Sequence, residues 1–389
     1  MSELWQDPYT LSVLVFVVFL ALYVYRDRKK FERQSIVLLR RTTRGRGFII
    51  KLADRFPRFW KHLGNLGVFA CFAASVFVVY QLASNLFRAA TVSGRPGGLA
   101  FLIPSPTATA AAGPGFLAVP FWYWIIAIGI LVVVHEGLHG VMSVVGKVKI
   151  KSLGWGLLAV IPLAFVEPDE KALQKKSFLT QQRVFAAGSL ANFILAMISI
   201  IILSFGFLWA YGGAGVAFQS QVNGTPAQQV NLTGVIVGID NFQIKNTEDL
   251  SAALTQSGPN KEIEVKTKIV SENKIEDKSY KLTTIAEPNS TSNKGFIGIA
   301  RVADAKIIKE TLLPYSGPIA FFQGLFFFLF LINLGVGLAN LLPIKPLDGG
   351  RMWETLLQRI SRKHHKKILS VLGWLTLLLI VANFAVPFV

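Results

Sequence analysis

Six long apolar stretches constrain this chain more than any other feature. They lie at residues 10–25, 66–87, 121–145, 184–211, 319–342 and 368–389. Each approaches or exceeds the roughly 20 residues that a helix needs to cross the hydrocarbon core of a bilayer. Of the 389 residues, 52% are hydrophobic and only 16% are charged, whereas soluble domains carry about 25% charged residues. The expectation is an α-helical polytopic membrane protein with about six transmembrane helices embedded in a lipid bilayer. The first stretch reads as a retained anchor, because Glu3 and Asp7 precede it and neither a basic flank nor a small-residue cleavage site frames it.

A net charge of +18 is the usual footprint of a nucleic-acid binder, but the distribution of charge argues for no nucleic acid. Of the 40 Lys and Arg, 27 fall in residues 26–61, 147–183 and 345–367, and residues 212–310 balance 11 basic against 11 acidic side chains. With six helices the three basic segments occupy alternate loops. Basic loops stay on the cytoplasmic side, so the excess is topological: both chain termini lie outside and the basic loops inside. Some of this charge also suits anionic headgroups. The single cysteine, Cys71, excludes an internal disulfide.

Residues 212–310 form a polar segment of domain size. The β-branched runs at 234–239 and 263–269 read as strands, and 247–254 has helical spacing behind Thr247. This predicts a small α/β extramembrane domain. Residues 93–115, rich in Gly, Pro, Ala, Ser and Thr, read as a flexible external loop. Residues 147–166 begin basic, turn apolar and carry Gly154 and Gly156 around Trp155. They are too short to span and are expected to form a membrane-dipping β-hairpin. The resulting division is 1–118 for two N-terminal helices and their loops, 119–211 for a first core half, 212–310 for the insert and 311–389 for the second half.

The chemistry concentrates at His135-Glu136-Gly137-Leu138-His139, at the end of the apolar run that starts at Phe121. Histidines four apart share one face of a helix, so both imidazoles can reach one zinc ion at about 2 Å, with the intervening Glu beside the water that zinc activates. Ionisable groups in a membrane helix are costly and usually functional. A catalytic zinc takes three protein ligands. Asp348 is the best third candidate, in Asn340-Leu341-Leu342-Pro343-Ile344-Lys345-Pro346-Leu347-Asp348-Gly349-Gly350, at the same predicted cytoplasmic level as His139. Glu310 and Glu354 are the other downstream carboxylates near a membrane boundary, and would suit a zincin of another kind. A metal-ion transporter or a membrane adaptor stands as the non-enzyme alternative.

An H-E-x-x-H in a membrane helix, followed some 200 residues later by N-x-x-P-x-x-x-x-D-G, resembles the site-2 protease family of intramembrane zinc metalloproteases from Phe121 onward. The resemblance implies His135, His139 and Asp348 as zinc ligands, Glu136 as catalytic base, and Asn340 as a substrate-binding residue. Gly188-Ser189-Leu190-Ala191-Asn192 is similar to the family's G-x-x-x-N segment and adds Asn192 as a substrate contact. Gly154 and Gly156 fall in what resembles the family's substrate-pairing β element. The insert resembles a PDZ domain in the order Thr225-Pro226-Ala227, strand, then helix from Thr247, without a clear carboxylate-binding loop; peptide termini would be its partners. The resemblance thus implies regulated intramembrane proteolysis of transmembrane protein substrates, and with the charge bias the expectation is a multi-pass enzyme of the plasma membrane. Its active site would lie near the cytoplasmic side and its PDZ-like domain outside.

Overall fold

The computed structural model describes residues 7–91, 99–271, 274–287 and 293–386. Glu3, residues 93–98 of the Pro- and Gly-rich loop, and residues 387–389 of the last apolar stretch lie outside them. Among the described residues six helical spans are long and apolar enough to cross a membrane, in agreement with a polytopic helical membrane protein. They are built on α1 (Pro8–Arg26), α3 (Pro57–Thr91), α4 (Phe121–Val145), α6 (Phe178–Ile201), α9 (Ser316–Ala339) and α11 (His365–Ala385). The start of α1 follows from its sequence. The Asp7 carboxylate accepts from the N–H groups of Tyr9 and Thr10, and Pro8 occupies a first-turn position where its missing N–H costs nothing. Phe19, Phe69, Phe77, Leu378 and other large apolar side chains on these helices are exposed, a surface suited to lipid rather than water.

The chain divides into two compact units, one comprising residues up to Ile200 and from Gly324 onward, the other Ile201–Gln323. In the first, β1 (Glu32–Gln34), β2 (Val37–Thr42), β6 (Ile150–Leu158) and β7 (Ile161–Pro168) form an antiparallel sheet in the order β1-β2-β6-β7. Register pairs Leu39 with Gly156, Arg41 with Gly154, and Leu153 with Val166. Arg41 Nη1 ties three strands by donating to Ser152 Oγ at 2.6 Å and Glu167 Oε2 at 2.8 Å. The sheet lies against α4, as does α2 (Arg46–Arg55): a Cβ at Gly140 would meet Ile49 at 3.2 Å and Val166 at 3.4 Å. The basic segment 26–61 therefore contributes two strands and a packed helix, not solvated charge alone.

The stretch expected to be a flexible external loop departs from that expectation. Instead of remaining irregular, β3 (Phe101–Ser105), β4 (Ala111–Gly113) and β5 (Phe116–Pro120) form a small sheet in which β3 and β5 run parallel. The apolar sequences FLIPS and FLAVP supply strand-forming side chains that outweigh the intervening turn residues. Two apolar clusters hold α4 in place. One joins Leu138, Val141 and Met142 to Cys71, Val184 and Leu190. The other joins Trp124, Ala127 and Leu131 to Leu325, Phe328 and Ile332. α5 (Glu170–Gln174) links the sheet to α6, and α10 (Asp348–Ile360) precedes α11.

The second unit is mixed α/β. Its elements are β8 (Tyr211–Ala217), β9 (Ser220–Gln221), α7 (Pro226–Gln229), β10 (Val235–Ile239), β11 (Phe242–Gln243), α8 (Thr247–Ser257), β12 (Glu262–Ser271), β13 (Lys274–Thr283), β14 (Ile285–Ala286), β15 (Gly295–Phe296), β16 (Ile299–Ala300) and β17 (Ala303–Ile308). Its main sheet runs β13-β12-β10-β8-β17 around a core that includes Leu232, Ile236, Leu250 and Val265. Asn246, not Thr247, caps α8, accepting from Asp249 N–H at 2.8 Å.

Candidate metal centre

α4 carries His135 and His139 on one face, as their spacing requires. The third group arrives from far along the chain. α9 ends at Ala339, and residues 340–347 turn back so that Asp348 opens α10. The turn closes through a bond from Gly349 N–H to Asn340 O at 2.7 Å. A Cβ at Gly349 would overlap Leu341, and one at Gly350 would lie 2.5 Å from Ile344 O, so the paired glycines permit the close backbone crossing. Asp348 Oδ2 lies 3.1 Å from His139 Nε2 and 3.4 Å from His135 Nε2, and the two imidazole nitrogens are 3.3 Å apart.

These residues fit zinc. A tetrahedral ion with bonds of about 2.0–2.1 Å separates its ligands by roughly 3.3 Å, which matches all three spacings. Two imidazoles and a carboxylate form a donor set that leaves a fourth position open. Among the described residues this is the one cluster of three or more His, Cys, Asp or Glu able to hold a metal ion. The ring of His139 is oriented from behind, its Nδ1 lying 2.7 Å from Val184 O. Burial opposes the charged form of Asp348, but the attraction of His139 and hydrogen bonds from both histidines hold its carboxyl well below the usual carboxylate range.

Glu136 is half-buried and points to the sheet, where its Oε2 accepts Val166 N–H at 2.9 Å. The cavity beside it, about 890 Å³, is lined by Glu136, His139, Val166, Asp348, Glu170 and Arg351 among others. The structure thus gathers four of the sequence-selected residues. Asn192 is fully buried one turn along α6 from Gly188, and neither amide atom has a partner. Asn340 is half-buried and acts through its main chain in the turn before Asp348.

Gly154 and Gly156 require a correction. They lie in β6, both of whose edges are taken, by β2 and β7. A Cβ at either would overlap a carbonyl of β2, at Arg40 and Leu38 respectively. Their backbone serves the chain's own sheet and cannot also pair with a substrate strand; the open edge belongs to β7.

Two supporting residues, Ser75 and Gln182, escaped the sequence reading, and Gly188 was marked there only as the start of its motif. Gly188 sits so close to the imidazoles that a Cβ there would overlap both Nε2 atoms. Ser75 Oγ, buried in α3, donates to Leu341 O at 2.6 Å and accepts from Trp353 Nε1 at 2.9 Å. Gln182 Nε2 donates to Met352 O at 3.0 Å and to Thr355 Oγ1 at 2.6 Å. Ser75 and Gln182 anchor the segments on either side of Asp348. Their visible signal is only a polar side chain in an apolar helix.

Comparison with known proteins agrees with this geometry. The family model for peptidase family M50 matches residues 123–381. An uncharacterized protein of Methanocaldococcus jannaschii is 26% identical over 364 residues, covering 92% of this chain and 88% of its own length. Proteins of Clostridium perfringens and Clostridium acetobutylicum, provisionally named as zinc metalloproteases, are each 23% identical, over 301 and 298 residues. Both alignments cover 61% of this chain, with 88% and 87% of the relatives' lengths. The chain belongs to peptidase family M50, the site-2 proteases, and with its six apolar spans it is a membrane metalloprotease of that family.

Proposed function

We infer that this protease hydrolyses peptide bonds in or next to the transmembrane segments of membrane proteins. The observation carrying the reading is the convergence of His135, His139 and Asp348 beside Glu136, at a cavity that His139, Asp348, Glu136 and Val166 line, in a chain built on apolar spans. His135 Nε2, His139 Nε2 and Asp348 Oδ2 would hold zinc. Zinc bound there supplies Lewis acidity towards water and a peptide carbonyl. Glu136 takes a proton from the attacking water at its carboxylate and returns it to the departing amine. A helical amide is protected by its own hydrogen bonds, so the substrate must unwind, and pairing with the β7 edge replaces the lost backbone bonds. Asn192, whose buried amide has no partner, would take a substrate carbonyl, with Asn340 nearby in the turn before Asp348.

The charge asymmetry supports an orientation with the metal centre near the cytoplasmic face of the plasma membrane and the Ile201–Gln323 unit outside. There that unit would act as a PDZ-like filter or tether that takes peptide termini. The test is cleavage of a labelled single-span protein co-reconstituted in liposomes. Glu136→Gln should retain zinc by elemental analysis and lose cleavage; a variant that cut at the wild-type rate would remove Glu136 from the chemistry.

A further inference from the structure

α2 and the first turns of α3 carry two kinds of side chain on their outer surface. Residues 44–61 hold six lysines and arginines against one carboxylate, Asp54. Arg40 and Arg41, just before them, find partners, at 2.7 Å from Asp27 and 2.8 Å from Glu167. Lys51, Arg55, Arg58 and Lys61 are exposed, and among the described residues no carboxylate lies within ion-pairing reach of any of them. Interleaved with these cations, Phe48, Phe56 and Phe59 are 70%, 52% and 56% exposed. Clustered apolar rings on a surface mark an interaction site.

The helix sorts these side chains by face. Phe48, Lys51 and Arg55 are spaced i, i+3 and i+7 and share the outer face. Ile49 and Ala53 occupy the inner one, in the same buried cluster as Leu138, Val141 and Met142 of α4. A Cβ added at Gly140 would meet Ile49 at 3.2 Å, so the inner face touches α4 one residue beyond His139. Trp60 fixes the corner between α2 and α3, its indole donating to Leu52 O at 2.9 Å. Lys61 lies five residues before the apolar stretch that starts at residue 66, about 7.5 Å of helix. The polar layer of a bilayer is roughly 5–8 Å deep on each side, which puts the corner at headgroup level. α3 continues from there with Leu66 and Phe69 exposed.

Cations interleaved with aromatic rings, at the end of a membrane span, fit an anionic lipid surface: phosphates take the cations and the acyl boundary takes the rings. An acidic soluble partner would satisfy the charge and leave the rings unmatched. We propose that the outer face of α2 and the α2–α3 corner bind the headgroups of anionic phospholipids, and that this clamps α2 onto α4 beside the metal centre. The site is independent of what the enzyme cleaves. α2 lifted from the embedded α4 takes Lys51 and Arg55 out of headgroup reach, so the packed form binds the lipid better and is favoured by it. The clamp holds Ile49 against Gly140 and steadies the wall of the centre behind His139.

The test compares the full-length protein in nanodiscs of phosphatidylcholine, with and without phosphatidylglycerol, by amide exchange. Phosphatidylglycerol should slow exchange across Arg46–Arg55 at least tenfold, because each cation near an anionic surface is worth about fivefold. Lys51→Gln/Arg55→Gln/Arg58→Gln should lose that slowing, with its circular dichroism unchanged. Arg362→Gln/Lys363→Gln/Lys367→Gln removes the same charge around the turn between α10 and α11 and should keep it. Soluble glycerol phosphate, added to phosphatidylcholine discs, should leave α2 exchange as it was. No slowing in the wild type would overturn the site and leave this face to an acidic partner protein. Slowing that persisted in the α2 variant would put the lipid elsewhere, and loss in both triple variants would reduce the effect to net charge. Glycerol phosphate acting as strongly as the lipid would make the ligand a free anion. Any of these results defeats the proposal.

Discussion

Gly188 leaves the metal centre the least tolerance for change. Its missing side chain is the space occupied by the two imidazole nitrogens, so Gly188→Ala must push the histidines off their common point. We expect zinc affinity to fall at least tenfold by competitive chelation, in the range seen when outer partners of a metal site are altered, with helix content unchanged by circular dichroism. Asp348→Ala should weaken zinc more, since it removes a donor atom outright; full metal content in that variant would place the third ligand elsewhere. Ser75→Ala strands a buried carbonyl and an indole N–H, at a cost of about 1–3 kcal/mol, visible as a lower melting temperature. The two histidines and Glu136 were legible because helical spacing is local. Ser75 was not: its bond to Leu341 spans 266 positions, and no local pattern marks such a pair.

The four-stranded sheet shows how an element can be half legible. The β6–β7 segment is marked by its glycines and β-branched residues, whereas β2 is a short run inside a strongly basic loop whose dominant signal is charge. What recruits β2 is the absence of side chains at Gly154 and Gly156, which lets its carbonyls close on β6. Gly156→Val should therefore loosen β2 from β6 and destabilise the protein by about 1–3 kcal/mol, the usual cost of overpacking. Faster amide exchange across Val37–Thr42 would locate the damage. The same pairing explains why the unpaired edge of the sheet falls on β7. A strand has two edges, and β6 has spent both within the chain.

At the scale of the molecule the metal centre is built within one compact unit, and the Ile201–Gln323 unit has a core of its own. Tyr211 pairs with Ile308 where the insert begins and ends, so a short Gly-Ser linker can replace residues 212–307. We expect that variant to bind zinc with unchanged stoichiometry while its choice among substrates changes; lost zinc would make the insert part of the site. The sequence by itself determined the six spans, the histidine pair with its glutamate, and the existence of a polar insert. Each of these rests on composition or on spacing within one helix. Only the tertiary structure decided that Asp348 reaches the histidines, that β2 completes the sheet and leaves β7 open, and that Val166 holds Glu136. Those contacts join residues from 30 to more than 200 positions apart, and such meetings depend on how whole elements pack rather than on any periodicity along the chain.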